Sequence, residues 1–258
     1  MLKVCVRLTC LAVAWLGCVH SSHAQFAYEV VSYSPGQGVG SAFTNAASAL
    51  GEPSRVTPDP FGGPVDPFDP AFKPSQLVSV GAAGSLTLRF RTPVLNHPLN
   101  RYGIDFIIFG NAGFIITNQF DLTKFDWVGT PATDGSMFGA NPGASLVSVS
   151  RDGTTWYQLD PARAPLVDGF APTDGLGDFH IPIDPTLNAG DFAGLTLDQF
   201  RAFYNGSAGG SGYDISWAQD AQGHPVFLPE INLIRIDVIS GRSEIDGVAA
   251  VFVPSRSR

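Results

Sequence analysis

The sequence predicts an all-β protein: an antiparallel β-sandwich with long loops and one short helix. Three observations predict it. Short apolar runs with period-two alternation recur along the chain, each bounded by turn residues. Gly (29) and Pro (20) are so frequent that few stretches stay uninterrupted long enough for a helix. A single segment, Thr196 to Tyr204, carries a helical pattern with a capping residue.

Met1 to Ala24 reads as a secretory signal peptide. Lys3 and Arg7 make a basic start, Leu8 to Val19 is mostly apolar, and Ser22-His23-Ala24 offers a small-residue cleavage site before Gln25. A lipoprotein signal at Trp15-Leu16-Gly17-Cys18 is the rival, which Trp15 and Leu16 fit poorly. Cys5, Cys10 and Cys18 all lie in this leader. Residues 25–258 therefore hold no cysteine, which excludes disulfides, thiolate metal sites and cysteine catalysis there. The leader holds two cations and no acid, so the formal net charge of −8 becomes −10 without it. That balance disfavours nucleic acid and anionic membranes as partners. No later apolar run approaches the ~20 residues of a membrane span. The expected location is secreted or cell-surface, with the periplasm as a further compartment, and residues 25–258 are expected to form one sandwich domain.

Phe26 to Ser34 alternates as a first strand, stopped by Pro35-Gly36, and Thr44 to Leu50 has room for a helical turn or two. From Pro58 to Pro74, six further Pro or Gly residues exclude helix and central strand. Phe61, Phe68 and Phe72 in that run are expected to pin it to the sandwich; an interdomain linker is the alternative. Leu77 to Val80 and Ser85 to Arg91 follow as strands, the second with Leu86, Leu88 and Phe90 on one face. Ile104 to Phe109 is a continuous apolar run of strand length between Gly103 and Gly110, a buried central strand carrying Asp105. Ala112 to Ala144 reads as long loops with one short strand. Leu146 to Leu159 is a hairpin turning at Asp152-Gly153, with Trp156 in the core. Pro161 to Gly194 is rich in Pro, Gly and Asp. In the helix, Thr196 caps and Leu197, Phe200 and Phe203/Tyr204 share a face. Ile231 to Ile239 and Val248 to Val253 close the sheet, joined by residues 241–247. The shifted alternation at Leu233-Ile234 signals a bulge or burial on both faces.

The nineteen Asp against four Glu suit turns, and some suit a hard cation. A bare Asp105 inside an apolar run is costly and needs backbone donors, a cation or a counter-ion such as Arg101. Calcium takes oxygen ligands, and Asp105, Asn111, Asp214 and Asp246 are the acids and amide nearest glycine-rich turns, so they form the expected metal set if their loops converge. Otherwise they are hydrogen-bonded structural acids. Trp127, Tyr213 and Trp217 lie in loop-like contexts and are the expected ring platforms for a glycan, against packing as the alternative. His97, His180 and His224 occupy no recognisable motif, and GxSxG, HExxH and a phosphate loop are missing from the sequence. Glycoside cleavage by paired carboxylates is a minor alternative that spacing cannot decide.

Several short motifs in order, Ala49-Leu50-Gly51-Glu52-Pro53, Gly103-Ile104-Asp105-Phe106 with Phe109-Gly110-Asn111, Val149-Ser150-Arg151-Asp152-Gly153 with Trp156, Gly212-Tyr213-Asp214-Ile215 and Ile245-Asp246-Gly247-Val248, resemble a family of secreted bacterial surface proteins that often carries a PEP-CTERM sorting tail. The chain ends Val253-Pro254-Ser255-Arg256-Ser257-Arg258, which departs from that tail. The SxDGxxW hairpin and the closing strands are also similar to discoidin-like, galactose-binding-type jelly rolls. That resemblance implies a jelly-roll sandwich with ligand loops at one end, commonly with structural calcium. The expected function is a non-catalytic secreted binding or adhesion module for extracellular polysaccharide or cell-surface glycan. The alternatives are an envelope or matrix protein that binds surface proteins and, less strongly, a carbohydrate-active hydrolase.

Overall fold

The structure, a computed structural model, describes residues 25–251 apart from 59, 61 and 140–142. The expected leader, Phe61 and the segment after residue 251 lie outside the described residues. In chain order the strands are β1 (Ala27–Ser34), β2 (Val78–Gly81), β3 (Gly84–Leu95), β4 (Phe106–Gly110), β5 (Gly113–Phe114), β6 (Phe120–Asp121), β7 (Asp126–Trp127), β8 (Met137–Phe138), β9 (Ser145–Ser150) and β10 (Tyr157–Leu159). After helix α1 (Leu197–Tyr204) come β11 (Ser211–Tyr213), β12 (Ala218–Gln219), β13 (Glu230–Val238) and β14 (Arg242–Ala250).

Two antiparallel sheets make the sandwich, one ordered β1-β3-β13-β9-β10-β12 and the other β11-β4-β14-β2. Their inner faces share one buried cluster: Leu86, Leu88 and Phe90 of β3, Val147 and Val149 of β9, and Ile234 and Ile236 of β13 meet Val78, Val80, Phe106, Ile108, Ile245 and Val248. The alternation read in β3 is the cause, because every second side chain points inward.

β4 lies between β11 and β14 and is buried on both faces. Phe106 and Ile108 enter the sandwich core, while Ile107 and Phe109 face a second cluster with Phe179, Ala208, Ala249 and Val251. A strand covered on both faces reads as a continuous apolar run instead of an alternating one. In β13 the pairing with β3 slips between Ile231 and Leu233, and Leu233 and Ile234 are both buried, as the broken alternation indicates.

The segment after β13 differs from its sequence reading. Residues 242–247 belong to β14, pairing Arg242 to Ile245 with Gly81 to Val78. β13 and β14 lie in different sheets, so Ile239 to Gly241 crosses between layers. Ala112 to Ala144 holds two small ladders, β5 with β8 and β6 with β7, more strand than expected.

α1 is capped as expected: the Thr196 N–H donates to Gln199 Oε1 at 2.8 Å, and Asn205 ends the helix at φ 47°. Phe200 and Tyr204 join Phe114 and Phe192 in a third buried cluster, whereas Phe203 is exposed. Phe68 does pin the proline-rich loop, with its ring 5.2 Å from that of Phe200. Phe72 does not; it remains 38% exposed under Lys73. Phe26 bridges to Ala249, and the Ala250 N–H donates to the Gln25 carbonyl at 3.0 Å, so the two ends of the described chain lie side by side. No helix among the described residues is long and apolar enough to cross a membrane.

Candidate functional site

The four residues expected to gather around an ion divide between the two ends of β4. Tyr213 pairs with Phe106, which sets Asp214 beside Asp105 at one end. Ile245 pairs with Gly110, which sets Asp246 near Asn111 at the other. Six residues of extended chain separate Asp105 from Asn111, about 20 Å at ~3.3 Å each. Among the described residues, no group of three or more His, Cys, Asp or Glu is placed to hold a metal. The expected convergence of these four residues is therefore corrected to two separate pairs.

Each acid has protein partners. Asp105 is fully buried; Oδ1 accepts from the His97 N–H (3.1 Å) and Asn100 Nδ2 (2.7 Å), and Oδ2 from the Ile215 N–H (2.8 Å). Burial pushes its carboxyl up to about 7 against these bonds, and nearby Asp214 adds to the rise. Asp246 accepts from the Ser54 N–H (2.7 Å) and hydroxyl (2.9 Å), and burial lifts it to about 7 as well. Asp214 caps a short 3-10 turn by accepting from the Ser216 N–H at 2.7 Å. The Asn111 side-chain amide donates to Glu244, and its backbone N–H donates to Asp168 Oδ1 at 2.8 Å.

Asp168 is a structural acid that the sequence does not single out. It accepts from the N–H groups of Asn111, Ala112 and Glu244, clamping the end of β4 to β14. Burial raises it to about 7. The sequence signal was only Asp168-Gly169 in a stretch full of such pairs.

The three expected ring platforms have three different fates. Tyr213 is 0% exposed, stacked on Phe106 at 5.2 Å with its hydroxyl donating to the Pro165 carbonyl at 3.1 Å. It is a core residue, a correction to the platform reading, because β11 turns its side chain into the sandwich. Trp127 is half-buried on β7, edge-on to Phe120 at 5.0 Å. Trp217 is half-buried beside a deep cleft. Trp156, read as core, is also half-buried, and its indole N–H donates to the Gly153 carbonyl at 3.2 Å, closing the hairpin turn.

The cleft next to Trp217 encloses about 490 Å³. It is lined by Gly210 and the start of the edge strand β11 at Ser211 and Gly212, by Ile104, and by two loop segments, 163–170 and 183–189. The first loop is held by serines of β11 and β9, the second by its own polar groups. Ser211 Oγ donates to the Leu166 carbonyl (2.9 Å), and the Val167 N–H donates to Ser145 Oγ (3.2 Å). Asp184 Oδ1 accepts from the Thr186 N–H (2.9 Å) and hydroxyl (2.7 Å), and Asn188 caps the next turn through Gly190 (3.0 Å). The Thr186 N–H, its hydroxyl and, more weakly, Arg101 hold the Asp184 carboxyl below its usual range.

The result is a preformed cavity of ligand size, apolar in most of its lining, with a few fixed polar groups. Phe170, Ile183 and Leu187 give apolar surface, and Trp217 gives a ring face under the Arg163 guanidinium, 5.1 Å from its centroid. Asp184 is the one carboxylate among the lining residues. None of the three histidines among the described residues lines it: His180 is buried with Nδ1 2.8 Å from the Ala250 carbonyl, His224 sits by Asp220, and His97 Nδ1 accepts from the Leu99 N–H. Apart from Ile104 and Trp217, the residues that shape this cleft come from the Pro161 to Gly194 stretch and from Gly210 to Gly212, where the sequence shows turn chemistry and nothing more.

No model of a known protein family matches this chain. No curated protein matches it either.

Proposed function

We propose that the protein is a secreted, non-catalytic binding or adhesion module whose cleft over β11 takes a segment of extracellular polysaccharide or cell-surface glycan. The observation that carries this reading is the preformed cleft of about 490 Å³ with Trp217 at its side. A sugar presents one apolar face and a rim of hydroxyls, which suits a mostly apolar cleft bordered by an aromatic ring and a few fixed polar groups. Hydrolysis of a glycoside uses two carboxylates ~5–10 Å apart. The cleft offers Asp184 alone, which favours holding a sugar over cleaving it. The motif order that resembles secreted surface proteins, and the leader-like Met1 to Ala24, support the same reading and a location outside the cell.

Calcium is not required by this reading, since Asp105 and Asp246 have protein donors. Screening neutral and acidic oligosaccharides by calorimetry tests the function. Trp217→Ala is expected to weaken any oligosaccharide bound by about tenfold, the worth of one ring contact; an unchanged affinity would remove the cleft from the proposal.

A second reading, a structural envelope or matrix protein that docks other proteins, rests on the β6–β7 ladder. Leu122 (82%), Phe125 (74%) and Val128 (53%) are exposed there, with the Phe125 ring edge-on to Phe120, which is in turn edge-on to Trp127. Substituting all three with Ser and measuring retention on whole cells separates the two: loss of retention with oligosaccharide binding intact favours this surface.

A further inference from the structure

Resting on the saccharide reading of the cleft, we infer that the bound segment carries a carboxylate, an isolated acidic sugar within an otherwise neutral chain, received by the Arg163 guanidinium. Acids outnumber basic residues in the sequence, 23 to 15, and most described cations are matched to a carboxylate. Arg55 pairs with Glu52, Arg89 with Glu29, Arg151 with Glu230, Arg201 with Asp174, Arg235 with Asp237, and Lys124 with Asp121. Arg163 and Arg91 are not so matched: among the described residues each guanidinium forms no ion pair and no hydrogen bond and rests on one ring, Arg91 on Tyr28 and Arg163 on Trp217, and of the two only Arg163 lines the cleft.

A guanidinium resting on an aromatic face is oriented by that contact, yet its N–H donors remain in its own plane, free for a second partner. The planar fork matches a carboxylate with two parallel hydrogen bonds. Its base is fixed as well, because the Arg163 and Ala164 N–H groups both donate to the Asp160 carbonyl, at 3.0 and 2.9 Å. The cation thus lines a ready cavity beside a sugar-sized ring.

Asp184 lines the same cleft and opposes an anion. One of its oxygens is taken by Thr186, and Arg101 lies close enough to act on its charge, so among the lining residues Arg163 is the cation left for a ligand. The whole chain is strongly acidic and repels polyanions at range. This combination selects one acidic residue among neutral ones over a densely charged polymer. Phe170, Ile183 and Leu187 supply apolar surface for the neutral neighbours.

Calorimetry at physiological salt on residues 25–258 tests this, with three probes of equal length: a neutral hexose oligosaccharide, the same chain with one hexuronic acid, and the same chain with one sulfate. The expected result is at least about tenfold tighter binding of the uronic probe than of the neutral one. Arg163→Met, which keeps the apolar stem, is expected to bring the uronic probe down to the neutral level, and Arg163→Lys to restore part of the preference. Melting curves of both variants verify the fold. Equal affinity for the neutral and uronic probes overturns the carboxylate while leaving the saccharide cleft standing, and a preference for sulfate over uronate also overturns it. A preference that survives in Arg163→Met overturns the role of Arg163. Binding of none of the probes overturns both the inference and the proposed function.

Discussion

Removing the Asp105 carboxyl should cost the protein a large part of its stability. Three donors converge on it: the N–H groups of His97 and Ile215 and the side-chain amide of Asn100. Asp105→Ala leaves two of them buried and one partly buried without an acceptor, at ~1–3 kcal/mol for each buried donor. The Ala variant also escapes the burial cost that raises the acid to about 7, which offsets part of the loss. We therefore expect a net destabilisation of about 3 kcal/mol, against the ~5–15 kcal/mol that usually holds a domain together. Asp105→Asn keeps an oxygen for His97 and Asn100 but turns an N–H toward that of Ile215, so about 1–2 kcal/mol is expected. Urea unfolding at pH 7 followed by tryptophan fluorescence gives both values by linear extrapolation. The order wild type, Asn, Ala is expected in calcium and in chelator alike. An Ala variant within 1 kcal/mol of wild type would refute the account of Asp105 as a structural pin, and a loss seen only in calcium would return the residue to an ion site.

Stability should fall as pH rises from about 4 to about 7. Asp105, Asp168 and Asp246 have folded pKa values of about 7, above the ordinary 3.8, so the folded state binds more protons across that window. Their contribution is complete below the ordinary value and is lost as pH passes the raised one. In the other direction, Asp152 is held down to about 2, first by the Thr155 N–H and then by that of Thr154, and it contributes stability that disappears in strong acid. Urea midpoints between pH 4 and 8 verify the sign; a flat or rising profile would contradict it, and Asp246→Asn should flatten the wild-type slope. Phe200→Ala should cost ~3–5 kcal/mol, because this ring touches Phe68, Phe114 and Phe192 at the hub of the third cluster; a loss under 1 kcal/mol by the same assay would mean the cluster is not a core. Gly210→Ala should cost about 2–4 kcal/mol, since φ is +80° and a Cβ would stand 2.6 Å from Ile107 and 2.8 Å from Phe109. A variant melting with wild type would show that β11 does not press on β4 in this way.

How far the sequence reaches depends on the range of the forces involved. β3, β4, β13 and α1 were legible because period-two patterns, a continuous apolar run and a helical face behind a capping threonine are local signals. The broken pattern at Leu233-Ile234 left a bulge and two-faced burial both open; the two residues are buried, and the pairing slips just before them, between Ile231 and Leu233. β14 was half-read, because Arg242, Ser243 and Glu244 look like a turn until β2 supplies a partner. The acids show the limit most clearly. Asp105 is recognisable as buried, but that His97, Asn100 and Ile215 would satisfy it depends on contacts up to 110 residues away. Asp168 and the loops around the cleft gave only turn signals, and a cavity between segments 163–170, 183–189 and β11 exists only once the chain has come together. Tyr213 shows the same limit, since one position of register decides whether a ring faces solvent or core.

The meeting of Gln25 with Ala250, and of Phe26 with Ala249, has a practical meaning for anyone wishing to build with this molecule. A few flexible residues would suffice to join the two ends, and new ends could be opened at the exposed Asp220–Gly223 turn while every strand keeps its neighbours. By the same geometry the whole sandwich could be spliced into a surface loop of another protein, entering and leaving through one narrow doorway.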